Sequence, residues 1–312
     1  MIADVASRIR ENVQMVIVGK PHVIDLAVVA VLCEGHILIE DVPGIGKTTL
    51  ARALAASLGC TFRRIQFTPD LLPSDVTGIN YFNQKTQEFE FRPGPVMSQV
   101  VLADEINRAT PRTQSALLEA MQEQQITVDG ETYRLPRPFL VMATQNPIEL
   151  EGTFPLPEAQ VDRFLMRFPI GYPTEAEEHT MLRRFERQDP LENLSAVTSP
   201  DELRAMQRRV REIRVEESVR GYIVQVARAT REHPDIELGV SPRGTLALYR
   251  CSQALAAIQG RAYVLPDDVK YLAPYVLTHR IMISPTTRLR GRALSDVLID
   301  VIETVPVPVE GI

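Results

Sequence analysis

The 312-residue chain has no tryptophan, only 6% aromatic residues and three cysteines. Cys33, Cys60 and Cys251 are odd in number and widely spaced, which argues against a disulfide framework and against a cysteine metal site. The longest apolar run, 26–33, is shorter than the roughly 20 residues that cross a bilayer. Residues 1–12 show no signal-peptide pattern. We therefore expect a soluble, cytoplasmic protein without membrane insertion.

Basic charge is also scarce, because 34 basic residues face 40 acidic ones and the formal net charge is −6. Neither half of the chain is a basic patch, whereas proteins that mainly bind nucleic acid need one. No nucleic-acid partner is therefore expected. Four of the basic residues are lysines and the rest are arginines, so a lysine at a functional position stands out.

What is present is a normal globular balance of 45% hydrophobic and 24% charged residues, in a chain long enough for two domains. Short apolar runs alternate with helical segments, which predicts a parallel sheet with helices on both faces. These strand candidates are 36–40, 60–67, 100–103, 139–143 and 165–170. After Pro173 the pattern changes to capped helices, with no convincing strand before Val305. We predict an α/β domain at 1–173 and a mostly helical domain at 174–312.

Two segments, 78–94 and 125–135, interrupt the alternation of strands and helices. Each shows a period of two residues, and the second contains Asp129-Gly130, a strong two-residue turn signal. We predict hairpins inserted into the α/β frame, which makes them candidate contact surfaces.

A glycine-rich run lies between the first strand candidate and a helix, the setting that a phosphate-binding loop requires. Its backbone N–H groups would cradle phosphates, Lys47 would reach the β- and γ-phosphates, and Thr48 would bind Mg²⁺. Asp41 replaces the usual first glycine, and its carboxylate should point away from the phosphates. The alternative is a glycine-rich turn before an ordinary helix. The predicted nucleotide-binding residues are Asp41, Val42, Pro43, Gly44, Ile45, Gly46, Lys47, Thr48 and Thr49.

The apolar run 100–103 ends in two acids, Asp104 and Glu105. Asp104 would hold Mg²⁺, directly or through water. Glu105 would orient the attacking water or accept its proton, which favours hydrolysis over transfer to another substrate. Alone, such a pair is also common as two exposed acids at a strand end.

At this point the chain resembles the MoxR family of AAA+ ATPases over nearly its whole length. The motifs are EDVPGIGKT (40–48), ADEINRA (103–109), ATQNP (143–147), EAQVDRF (158–164), SPR (241–243) and YVLPDDV (263–269). The resemblance implies a P-loop AAA+ core with a parallel sheet and inserted hairpins, followed by a smaller α-helical lid domain. It further implies ATP hydrolysis with Mg²⁺ in a ring, most simply a homo-hexamer.

The resemblance assigns roles to three further polar residues. Asn146 follows a strand beside the one ending in Asp104, where it would contact the attacking water or the γ-phosphate; Asn-Pro is otherwise a turn signal. Arg163, within a short helix, would be the arginine finger for a neighbouring subunit, with Arg167 a weaker candidate. Arg243 lies in a first helical turn, where a cation opposes the helix dipole, and would couple nucleotide state to the lid angle. The alternative for Arg163 is a surface arginine in a salt bridge, and the alternative for Arg243 is an unpaired arginine in a loop.

The resemblance also places adenine near the backbone of Val18 and Gly19, with Lys20 close by. It implies chaperone-like work on a protein client together with a partner that carries a von Willebrand factor A domain. A nucleic-acid ring motor, a subunit resembling magnesium chelatase and a nucleotide-gated assembly module without turnover remain open as alternatives.

Overall fold

The structure, a computed structural model, describes residues 2–147, 152–186 and 188–308. Many of its helices begin with proline in the first turn, where the missing N–H costs nothing. The helices are α1 (Ile2–Gln14), α2 (Pro21–Leu32), α3 (Lys47–Ser57), α4 (Pro73–Thr77), α5 (Pro111–Glu123), α6 (Glu158–Val161), α7 (Glu175–Phe185), α8 (Pro200–Val210), α9 (Glu217–Glu232), α10 (Pro242–Ile258), α11 (Pro266–Leu277), α12 (Pro285–Leu289) and α13 (Leu294–Thr304).

The strands form one parallel sheet and three antiparallel pairs. They are β1 (Ile37–Glu40), β2 (Phe62–Gln66), β3 (Gly78–Asn83), β4 (Glu88–Pro93), β5 (Val100–Asp104), β6 (Gln125–Val128), β7 (Glu131–Arg134), β8 (Leu140–Gln145), β9 (Met166–Phe168), β10 (Ile236–Leu238) and β11 (Met282–Ile283). The parallel sheet has the order β2-β5-β8-β1-β9, which confirms the predicted α/β fold. Its central strands are apolar and buried on both faces, as a sheet covered by helices requires.

Both predicted hairpins are present, as β3–β4 and β6–β7. The two hairpins pack against each other, because the rings of Phe91 and Tyr133 stack with their centroids 4.0 Å apart. On the first hairpin, Phe82 and Phe89 form an edge-to-face pair, and Phe89 is 75% exposed. The two hairpins therefore form a joint surface that presents aromatic side chains to solvent.

The chain from α7 onwards is mainly helical, and side-chain caps start several of its helices. Thr174, Ser199 and Ser241 each accept a hydrogen bond from a backbone N–H in the first turn. The expectation of no strand before Val305 is wrong, because β10 and β11 form a short antiparallel pair. Val305 itself lies in no strand of the described chain. Strands of two or three residues are too short to show a period, so packing against α9 and α13 decides them.

Helices α1 and α2 link the sheet to the helical region, because both pack against α10 while α1 also contacts α3. One apolar cluster runs through these contacts from the sheet into the helices. A buried hydrogen bond of 2.7 Å from Gln207 Nε2 to Val31 O adds a polar tie between α8 and α2. No helix among the described residues is long and apolar enough to cross a membrane.

Candidate active site

The glycine-rich loop lies where the sequence placed it, between the end of β1 at Glu40 and the start of α3 at Lys47. Gly44 and Gly46 have φ angles of 85° and 90°, a left-handed backbone that a side chain would strain. A Cβ on either glycine would meet no atom within 4 Å, so the loop surface is open. The first N–H groups of α3 have no partner within the helix and face the cleft, which makes the start of this helix suited to bind an anion.

Asp41 turns its carboxylate away from this cleft, as predicted. Oδ2 accepts hydrogen bonds from the backbone N–H groups of Ile170 at 2.9 Å and Gly171 at 2.7 Å. Oδ1 accepts one from Val42 N at 2.8 Å. The acid therefore ties the loop to the segment after β9, and its charge is satisfied by protein donors rather than opposing a phosphate.

Lys47 lies across the loop, and its ammonium donates a hydrogen bond to the backbone oxygen of Asp41. Partial burial lowers the pKa of Lys47, while Asp41, Asp104, Glu105 and Glu40 act in the opposite direction. A cation held in this way, partly out of water and facing the cleft, is suited to bind phosphate oxygens.

The acid pair lies at the carboxyl end of β5, beside Thr144 of β8. Thr144 Oγ1 donates to Asp104 Oδ1 at 2.6 Å and accepts from Glu105 N at 2.9 Å. Glu105 has a φ of 56°, a costly conformation for a non-glycine residue that the neighbouring contacts hold in place. The Asp104 carboxylate and the Glu105 backbone are thereby held next to β8.

Sequence reasoning missed two residues of β2 that bind these acids. Arg64 contacts Asp104 Oδ2 through Nε at 3.0 Å and Nη2 at 2.7 Å, and Gln66 Nε2 donates to Glu105 Oε2 at 2.9 Å. Arg108 adds an ion pair to Glu105 at 3.1 Å. Arg64 and Gln66 are two apart on one strand face, and Gln66 stands opposite Asp104 in the sheet register. The spacing of Arg64 and Gln66 could have indicated two polar side chains on one face of a strand. Only the sheet order shows that this strand, β2, lies next to β5.

A cleft of about 420 Å³ brings these predicted groups together at the carboxyl end of the sheet. Asn146, 8% exposed, follows β8 directly and faces the same cleft as Lys47 and the acids. The lining residues are Pro43, Gly44, Gly46, Lys47, Thr48, Thr49, Arg64, Gln66, Asp104, Glu105, Thr144 and Asn146.

A second cavity of about 540 Å³ adjoins the loop and has the apolar character that an adenine ring needs. Val18 and Lys20, which the resemblance places near adenine, line this cavity. Gly19 is not among its lining residues; it lies against α7, where a Cβ would meet Glu177 Oε1 at 1.8 Å. The opposite side of the cavity is formed by 170–173 and α7, which the sequence did not predict. The apolar residues of this wall are Ile170, Tyr172, Met181, Leu182 and Phe185.

Arg163 and Arg243 lie at the opposite end of the sheet. Arg163 follows α6 in a turn rather than within the helix, and Leu165 N donates to His36 O at the amino end of β1. Arg243 Nη1 lies 3.6 Å from Asp162 Oδ2, and both arginines line a third cavity of about 330 Å³. The four residues of β1 alone separate this cavity from the phosphate loop by about 13 Å.

Arg243 therefore does not line the cleft of its own subunit. Because α10 packs against α2, its first turn lies beside the amino ends of the strands and not over the phosphate loop. Arg167 forms an ion pair with Glu40 at 3.2 Å, so its guanidinium is bound within its own subunit. Among the described residues, no carboxylate lies within 4 Å of the Arg163 guanidinium, which leaves it available.

The fold and the cleft define a class of protein, and two matches agree with it. Residues 36–166 match the ATPase family associated with various cellular activities (AAA), and residues 228–297 match the AAA lid domain. The protein is thus an AAA ATPase with an α/β nucleotide-binding domain followed by a lid.

Full-length relatives narrow the class. The chain is 52% identical to the protein YeaC of Bacillus subtilis, over 96% of this chain and 94% of that one. It is 40% identical to Chaperone MoxR1 of Mycobacterium tuberculosis, over 95% of this chain and 81% of that one. The crystal structure of a candidate ATPase from Cytophaga hutchinsonii matches with a TM-score of 0.92 at 37% identity, over 98% of this chain and 96% of that one. The chain belongs to the MoxR family of AAA+ ATPases.

Proposed function

We propose that this ATPase works as a cytoplasmic ring, most simply a homo-hexamer, with each active site shared between two neighbouring subunits. The observation that carries this proposal is the separation of the predicted catalytic groups to opposite ends of one sheet. Lys47, Glu105 and Asn146 lie at the carboxyl end, whereas Arg163 and Arg243 lie at the amino end. One subunit cannot place both sets on the same phosphate.

The residues at the cleft fit a Mg²⁺ ion. Thr48 and Asp104 both line the cleft and offer the oxygen ligands that Mg²⁺ prefers. When bound, the ion would supply positive charge to the phosphate oxygens. Asp104 would then exchange its ion pair with Arg64, which is half-exposed and free to turn outwards.

Hydrolysis follows from the positions of the chain's own groups. Backbone N–H groups of the loop and Lys47 hold the phosphates of the substrate ATP. A water oxygen attacks the γ-phosphorus, the bond to the β–γ bridging oxygen breaks, and Glu105 takes the water proton. Asn146 orients the water or the γ-phosphate from the same edge of the sheet. The products are ADP and inorganic phosphate.

The arginines complete the site of the next subunit. In a head-to-tail ring, the amino end of one sheet faces the carboxyl end of its neighbour, so Arg163 would meet the neighbour's γ-phosphate. Arg243 enters from the same cavity and would act with it. We propose 1–173 as the nucleotide-binding domain and 174–312 as the lid that delivers Arg243.

A mixing experiment tests the shared site. Arg163→Ala and Glu105→Gln should each reduce steady-state phosphate release in a uniform ring, by about 10³-fold for Arg163→Ala. Mixed rings contain interfaces where an intact pocket meets an intact arginine, so activity should return, with about a quarter of interfaces competent at equal amounts. Arg228→Ala, which removes an exposed arginine of α9, is the control and should behave as wild type. No recovery in rings shown to be mixed, or an active monomer, would overturn the proposal.

We propose that the mechanical work is done on proteins, in a chaperone-like remodelling or maturation role with a von Willebrand factor A domain partner. The name of the relative Chaperone MoxR1 supports this role. The hairpins with exposed Phe82 and Phe89 offer a surface for protein contact. Purified partner protein should stimulate phosphate release, and Phe89→Ser should weaken the stimulation while basal turnover stays unchanged. Stimulation by DNA or RNA at low salt, or only by tetrapyrrole-enzyme subunits, would favour the alternatives instead.

A further inference from the structure

The segment that carries Arg163 has almost no regular secondary structure to hold it. Helix α6 ends at Val161 and strand β9 begins at Met166, so residues 162–165 form a connection between them. Such a connection is mobile unless other groups bind its backbone. Three of its backbone carbonyl oxygens, on both sides of Arg163, are bound by the helical region.

Arg280, at the end of the short helix Thr278–Arg280 that follows α11, makes most of these contacts. Its Nη2 donates to Phe164 O at 2.7 Å and to Asp162 O at 3.3 Å, and its Nη1 donates to Leu165 O at 3.2 Å. Its Nε donates to Asp162 Oδ1 at 2.7 Å. The guanidinium thus binds the residue before Arg163 and the two residues after it.

His279 adds a second tie to the same segment. Its Nε2 lies 3.0 Å from Phe164 O, and burial together with the neighbouring Arg280 keeps the pKa of His279 well below its usual value. The ring is therefore neutral, and since a carbonyl oxygen can only accept, the proton must be on Nε2. Two adjacent residues of the helical region consequently hold one turn of the nucleotide-binding region.

Burial of the Arg280 guanidinium is unfavourable by itself, so its binding partners matter for the stability of this arrangement. The Arg280 side chain is only 3% exposed, and a buried guanidinium is expensive unless it is well paired. Asp162 supplies that pairing and also contacts Arg243 at 3.6 Å. Asp162 therefore joins Arg280 to Arg243, which lines the same cavity as Arg163.

We propose that Arg280, assisted by His279, is a positioning residue that fixes Arg163 for the neighbour's γ-phosphate. The proposal rests on the shared site described above. Because Arg280 follows α11 of the lid region, a shift of that region would move or release 162–165 and so control hydrolysis in the next subunit.

The decisive variant is Arg280→Met, which removes the guanidinium and keeps an unbranched apolar stem. Turnover at saturating ATP should fall about 10²-fold, less than for Arg163→Ala, because Arg163 is mispositioned rather than absent. ATP affinity measured by titration should change less than about twofold, since the phosphate loop is untouched. Mixing Arg280→Met with Glu105→Gln should restore phosphate release, as an intact finger then serves the intact pocket of the variant.

A double variant separates positioning from a general structural role. Arg163→Ala combined with Arg280→Met should be no slower than Arg163→Ala alone, because the second change has nothing left to position. Asp162→Asn is the milder companion, which keeps the shape of the segment and weakens the ion pair; it carries the same test if Arg280→Met does not fold. The same pattern of lost turnover, retained affinity and recovery on mixing is expected for it.

The matched control is Gln207→Met, which removes a buried hydrogen bond between the same two regions at α2, away from 162–165. It should lower the unfolding temperature without the loss of turnover. Full turnover in Arg280→Met, or losses that add to those of Arg163→Ala, would overturn the positioning role and leave the shared site intact. Failure of Arg163→Ala itself to recover on mixing would instead overturn the shared site, and this inference with it.

Discussion

The charged side chains at the two ends of the central sheet differ in how far they are exposed to solvent. At the carboxyl end, Glu105 is 25% exposed and its partner Arg108 is 44% exposed, so water can replace each contact. At the amino end, Arg280 is 3% exposed and is bound on several sides by the backbone. The contacts at the first end are open to exchange with water, while the contacts of Arg280 at the second end are buried.

His36 shows how rigid the amino end is. Its Nδ1 accepts from Val141 N at 3.0 Å, and its Nε2 donates to Met121 O at 3.1 Å. Phe139 packs against the ring edge-to-face at 5.5 Å. Complete burial lowers the pKa of His36 to about 4, so this neutral histidine joins β1, β8 and α5 without taking part in chemistry.

The largest difference between the two ends should come from Glu105→Gln. Loss of the proton acceptor should lower turnover by about 10³-fold while ATP still binds, because the phosphate loop is unchanged. Phosphate release and equilibrium nucleotide titration measure the two quantities. Glu119→Gln, an exposed acid on α5, is the control and should leave both unchanged. Unchanged turnover in Glu105→Gln would remove this residue from the chemistry.

At the other end, His36 should affect stability rather than turnover. Its folded pKa of about 4 lies below the usual 6.5, so the unfolded chain binds the proton first as pH falls. The stability present above pH 6.5 is therefore lost progressively down to pH 4, by about 3 kcal/mol from this group. His36→Gln should flatten the dependence of the unfolding free energy on pH across this window. The exposed His179→Gln should keep the wild-type slope, and an equal slope in both variants would contradict the assignment.

A smaller effect is expected in the apolar cavity beside the loop. Phe185→Ala removes part of its wall on α7 and should weaken ATP binding about tenfold, from the lost apolar contact. Turnover at saturating ATP should stay close to wild type, since no group at the cleft changes. Leu289→Ala removes an apolar side chain that is 88% exposed and serves as the control. Calorimetric titration measures the ATP affinity of both variants. Unchanged affinity in Phe185→Ala would show that adenine does not bind in this cavity.

The smallest effect should come from Arg64→Met, which removes the ion pair with Asp104. An exposed pair is worth at most about 1 kcal/mol, so the Mg²⁺ concentration for half-maximal activity should fall by up to about fivefold. Arg204→Met breaks an exposed pair with Asp201 far from the cleft and should change nothing. A higher Mg²⁺ requirement in Arg64→Met would show that Arg64 supports the site instead of competing for Asp104.

Sequence reasoning succeeded where a local signal exists. The phosphate loop, the acids that end β5 and the capped starts of α7, α8 and α10 all depend on residues within a few positions of one another. Even the outward turn of the Asp41 carboxylate followed from charge alone. Each of these features is decided by backbone geometry, capping or repulsion inside a short segment.

The features that were missed depend on which segments meet. Arg64 reaches Asp104 because β2 lies beside β5, and α7 closes the apolar cavity because it folds back over the loop. Arg243 faces the amino ends of the strands because α10 packs against α2. Local chemistry in the chain is therefore enough to predict a phosphate loop, an acid pair and candidate arginines. Their division between two ends of a sheet depends on long-range packing, since a short motif carries no information about the neighbours that burial of apolar surface selects.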